Sequence, residues 1–88
     1  MIAVDTNVVV RLLVGDDLKQ SKAARALFEN EIIWISRTVL LETAWVLDSV
    51  YGLEDRQVAA TLGGLLGLAQ VKVEDGEGVR LALNWAVQ

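Results

Sequence analysis

Two short apolar runs, Ile2 to Val4 and Ile32 to Ile35, and the alternating Val71-Lys72-Val73 read as strands, each separated from the next by a stretch patterned for helix. Short strands alternating with helices predict an α/β architecture with a central parallel sheet, because parallel neighbours need long crossovers and those crossovers are right-handed. After the first run, Asn7 to Leu13 reads as a helix ending near Gly15-Asp16-Asp17. Gln20 to Glu29 places Ala23, Ala24, Leu27 and Phe28 at helical spacing among charged residues, the pattern of an amphipathic surface helix. Thr38 to Tyr51 is almost wholly apolar and stops at Gly52, which predicts a helix buried on most sides and closed by a glycine cap. Glu54 to Leu66 predicts a further helix with Gly67 as its stop, and Asp75 is placed to cap a last one over about Glu77 to Val87.

The 88 residues, 53% of them hydrophobic, suffice for one small domain with its own core, residues 1–88. Val58 to Val71, the longest weakly charged stretch, falls short of the roughly 20 residues a membrane span requires, and no leader pattern opens the chain. A soluble, cytoplasmic protein is the expectation. The chain contains neither Cys nor His, so disulfides, the common zinc sites and the Ser/His/Asp and Cys/His nucleophile systems are excluded. Any catalysis falls to carboxylates, hydroxyls, amides and basic side chains. A net charge of −4 argues against strong nonspecific nucleic-acid binding, which depends on clustered Lys and Arg, but it leaves room for an enzyme that grips a polyanion through a metal.

Two acids carry the chemical argument. Asp5 follows the first strand where a helix N-cap belongs, and a carboxylate at the carboxyl end of such a strand also lies where α/β folds bind ligands. Glu42 is the only ionisable side chain in "TVLLETAWVL", with Val39, Trp45 and Val46 at helical contact spacing, which predicts a partly desolvated carboxylate. Burying it is costly unless it is paired, with Arg37 or Arg11 the available partners, or ligates a cation, or takes up a proton. If the first strand and the Glu42 helix pack side by side, Asp5 and Glu42 converge on a site suited to Mg²⁺ or Mn²⁺, with Asn7 or Thr6 able to orient a water. Such an ion acidifies a water and offsets phosphodiester charge, so a histidine base is not required. Trp34, Trp45 and Trp85 read as core or, for Trp85, interface, rather than as base-stacking platforms. Gly63 and Gly67 read as close helix packing and a helix stop, and "EDGEG" as a turn into a helix rather than a calcium loop. Arg11 and Arg37 are candidates for phosphate contact or for plain surface roles.

"MIAVDTNVVVRLLVGDD", "QSKAARALFE", "IWISRTVLLETAWVL" and "VKVEDGEGVRLALNWAV", in this order, resemble the PIN domain, and within it the VapC-type toxins of toxin–antitoxin modules. The resemblance implies a three-layer α/β/α fold and a Mg²⁺- or Mn²⁺-dependent endoribonuclease, with Asp5 and Glu42 as metal ligands and Asn7 and Thr6 supporting them. It also implies a VapB-type antitoxin as inhibitor and a homodimer as the assembly. The family's further acids, in an Asp-Phe-x-Asp-like segment, would follow the helix ending at Val87, so the chain reads as an amino-terminal portion without the last strands. A weaker metal site and an open sheet edge that invites pairing are the expected consequences. A catalytically incomplete module for dimerisation or antitoxin binding is the alternative. A nucleotide-binding domain is disfavoured, because no Gly-rich loop follows the first strand.

Overall fold

A computed structural model describes residues 1–15 and 18–74, in the order β1 (Ile2–Ala3), α1 (Thr6–Val14), α2 (Leu18–Asn30), β2 (Ile33–Ile35), α3 (Arg37–Ser49), α4 (Asp55–Leu66) and β3 (Val71–Val73). The expected helix over Glu77 to Val87, its cap Asp75 and Trp85 lie outside the described residues. The strands form a parallel sheet in the order β1-β2-β3, with Ile2 opposite Ile33 and Ile33 opposite Val71. The expected α/β class with a central parallel sheet is therefore what the chain adopts. Val4 extends the first strand's ladder by donating its N–H to Trp34 O at 3.3 Å, so the pairing runs directly up to Asp5.

β2 is the central strand, and its Ile33 and Ile35 are completely buried while Trp34, on the other face, is half-buried. Continuous β-branched side chains are what a strand covered by neighbours on both edges calls for. Around it gather Val4 and Val9 from the first turn of chain, Phe28 of α2, Leu40 and Leu47 of α3, Val58, Leu62 and Leu65 of α4, and Val71 of β3. α1 packs against α2 and α3, and α3 against α4. The α1–α2 join is closed by Gly15, at φ 70°, whose N–H reaches Arg11 O at 3.2 Å, and by the buried Ser21 hydroxyl, which donates to the same oxygen at 3.0 Å.

Three local expectations need correction. α3 is buried on one side only: Leu40, Thr43 and Leu47 face the core, whereas Leu41 is 72% and Trp45 66% exposed. The apolar character of its sequence overstated its burial, because α1 and α4 together cover only part of its circumference. Its cap residue is Val50 in right-handed geometry; Gly52, at φ 68°, closes the following turn by donating to Asp48 O at 3.0 Å. At the end of α4, Gly67 caps as expected, its N–H donating to Gly63 O at 3.1 Å, but Gly63 has open space where a Cβ would stand and marks no close helix contact.

Candidate metal centre

The site grows from two strand-to-helix junctions that lie next to each other because β1 and β2 are adjacent and parallel. At the first junction Asp5 has extended backbone (φ −94°, ψ 174°) and its Oδ1 accepts the Val8 N–H at 3.0 Å, the N-cap geometry that satisfies one orphan donor of α1. At the second, Ser36 does the same for α3, accepting the Val39 N–H at 3.2 Å. α3 then runs beside the start of α1 and carries Glu42 to it. The Thr6 hydroxyl donates to Glu42 Oε2 at 2.7 Å, a short hydrogen bond of the kind a charged acceptor makes, and it joins residues 36 apart in the chain.

Asp5, Thr6, Asn7 and Glu42 line one open cleft of about 440 Å³, together with Val39, Trp45 and Val46. All four of the residues singled out in the sequence are thus brought together, at the carboxyl ends of parallel strands where α/β folds place their ligands. Glu42 differs from expectation in its surroundings: it is exposed, and its partner is the Thr6 hydroxyl rather than an arginine. Arg37 instead turns to Glu74, which accepts the Arg37 backbone N–H at 3.0 Å and stands 4.0 Å from its Nε. Arg11 lines a separate cleft between α1 and α2, with Val8, Gln20, Ala23, Ala24 and Leu27. Neither arginine is among the residues lining the acidic cleft.

Trp45 is the residue that sequence reasoning misplaced. It was expected in the core, yet it stands exposed on the rim of the acidic cleft, three positions and hence one helical turn beyond Glu42. The signal was present in α3, where Leu40, Thr43 and Leu47 form the buried stripe and position 45 falls off it.

The donor set suits a hard divalent cation. Asp5 accepts the Val8 N–H on Oδ1 and Glu42 accepts the Thr6 hydroxyl on Oε2, so each carboxylate keeps a second oxygen that takes part in neither bond, and the Asn7 side chain lines the same cleft. Hydrogen bonds that fix a carboxylate while leaving one oxygen for metal are the usual outer support of such sites. Among the described residues there is no group of three or more acids placed to hold a metal ion together.

No curated protein and no solved structure shows significant similarity to the chain. Among the described residues no helix is long and apolar enough to cross a membrane. The PIN-domain family model matches residues 2–86, a span that takes in both junctions and both acids, and PIN domains are generally metal-dependent nucleases. With a family-model match over nearly the whole chain, a parallel sheet, and Asp5 and Glu42 lining one cleft, the chain belongs to the PIN-domain family.

Proposed function

We propose that the protein is a VapC-type toxin, an endoribonuclease that uses Mg²⁺ or Mn²⁺ to cut RNA and is held in check by a VapB-type antitoxin. The observation that carries this reading is the convergence of Asp5 and Glu42 on one cleft, tied by the Thr6 to Glu42 hydrogen bond. Asp5 and Glu42 would hold the cation. When bound, it supplies activation of a water and neutralisation of charge on the scissile phosphodiester. Thr6 holds the Glu42 carboxylate in place, Val8 N–H does the same for Asp5, and the Asn7 amide, donor and acceptor at once, orients the water or a phosphate oxygen. The chain carries a net charge of −4 and the described residues lining the cleft include no basic side chain, so attraction of a polyanion there would come from a cation held by Asp5 and Glu42. Homodimerisation and antitoxin binding belong to the same proposal, through the resemblance to the toxin group.

The decisive experiment incubates the protein with RNA and Mg²⁺ and follows fragments on a denaturing gel. Cleavage that EDTA stops and that Asp5→Asn or Glu42→Gln abolishes supports the reading; cleavage indifferent to both substitutions overturns the site. Induced expression should arrest growth, and Glu42→Gln should relieve the arrest. The two-carboxylate donor set of the described residues favours one second reading, a catalytically incomplete module that dimerises or binds antitoxin. It predicts no cleavage at any Mg²⁺ concentration while self-association remains.

A further inference from the structure

Trp45 is hard to account for as a structural residue. An indole that is 66% exposed has given up most of the burial that makes tryptophan useful to a core. It stands on the ridge between two clefts: the acidic one with Asp5, Thr6, Asn7 and Glu42, and a second between α3 and α4, of about 390 Å³, lined by Ala44, Asp48, Asp55, Val58, Ala59 and Leu62. Its place on α3 is fixed by residues on either side of it, since Thr43 and Leu47 are anchored in the core and Glu42 is held by Thr6. The ring therefore sits on a rigid helix, one turn from the carboxylate, with its surface open to the same solvent.

Among the described residues, none that lines either cleft is basic. A strand of nucleic acid reaching the acids would find, among the described lining residues, no lysine or arginine to pair with its phosphates. A flat aromatic face on the rim can hold a nucleotide without positive charge, because every base has a π-face to stack. A base can lie on that face only when it is unpaired and free of its own neighbours in a duplex.

We propose that Trp45 is a stacking platform for one unpaired base of the RNA strand next to the scissile phosphate. This rests on the nuclease reading of the Asp5 and Glu42 cleft. Trp45 is a positioning residue: it fixes the strand so that the adjoining phosphodiester faces the acids, and because its contribution is not ionic, binding depends only weakly on salt.

The test uses the full chain, a short unstructured RNA carrying a single 2-aminopurine, and the variants Trp45→Ala and Trp45→Phe. In EDTA, where no cutting occurs, the wild type should quench the 2-aminopurine. Trp45→Ala should bind about 5- to 100-fold more weakly without quenching, Trp45→Phe should retain most of both, and the strand annealed to its complement should show neither. With Mg²⁺, Trp45→Ala should raise KM with a smaller effect on kcat. Circular dichroism and unfolding of Trp45→Ala should match wild type, as its exposure requires. Equal affinity and quenching in wild type and Trp45→Ala overturns the proposal, as does a wild type that never quenches. So does a Trp45→Ala variant whose only change is in oligomeric state, which would make the face a protein interface. A wild type that quenches through Trp45 but never cuts with Mg²⁺ leaves the stacking platform standing and removes the nuclease reading instead.

Discussion

Asp5 accepts the Val8 N–H with one oxygen and lines the cleft, and an asparagine at that position would keep the cap while removing the carboxylate charge. Asn and Asp are equally good N-caps, so Asp5→Asn should leave the unfolding free energy within about 0.5 kcal/mol of wild type while abolishing Mg²⁺-dependent cleavage. Asp5→Ala removes both roles and should cost about 1 kcal/mol of stability as well. Urea unfolding followed by circular dichroism, beside the cleavage assay, separates the two; equal stability losses in the two variants would mean that capping alone explains the residue. Thr6 is separable in the same way, because its hydroxyl reaches Glu42 Oε2 at 2.7 Å. Thr6→Val should weaken Mn²⁺ binding about 10- to 100-fold in a calorimetric titration, and Thr6→Ser should restore it. Both acids were legible in the sequence, Asp5 by its place between an apolar run and a helix, Glu42 by its isolation in an apolar stretch. The environment of Glu42 was not legible, since its apolar neighbours Val39 and Val46 lie along the cleft wall without closing over it.

α3 joins the core to the site, and its two sides should respond to the same substitution in opposite ways. Leu47 is 1% exposed among the core side chains, so Leu47→Ala should cost about 2–5 kcal/mol, a large share of the roughly 5–15 kcal/mol that holds a small domain together. Leu41, on the same helix and 72% exposed, should lose no more than about 0.5 kcal/mol when changed to Ala. Paired denaturation curves check both; comparable losses would mean that the outer face of α3 is covered in solution, by a second copy of the chain or another partner. Most of the elements were legible: β-branched runs marked the strands, Asp5 began a helix and Gly67 ended one, whereas Ser36, which caps α3, was not singled out and that helix was expected to begin at Thr38. What the pattern did not disclose was coverage. A helix that is apolar almost all round reads as buried all round, but the faces that meet a neighbour depend on where α1 and α4 sit, which is a tertiary fact. Trp45 went to the wrong side of that divide for this reason, and the strand order β1-β2-β3, with Ile33 and Ile35 in the middle, was equally invisible to a reading of single segments.

For the whole molecule, a chain of net charge −4 with two acids on one cleft should be stabilised by divalent cations in two distinguishable ways. Any added salt screens the general repulsion among acidic groups, and that gain scales with ionic strength whatever the ion. A cation bound at Asp5 and Glu42 adds a term that depends on its free concentration relative to its dissociation constant. At ten times that constant the term is about 1.4 kcal/mol. For a domain of this size it corresponds to a rise in Tm of roughly 5–10 °C. The wild type should therefore melt higher in Mg²⁺ or Mn²⁺ than in NaCl of equal ionic strength, and the Asp5→Asn, Glu42→Gln double variant should melt at the same temperature in both. The double variant removes two negative charges, so its melting point in NaCl alone should rise slightly through relief of repulsion, which is why the matched-salt difference is the quantity to read. A difference of the same size in wild type and double variant would place the bound cation elsewhere on the molecule and leave the Asp5 and Glu42 cleft without its metal.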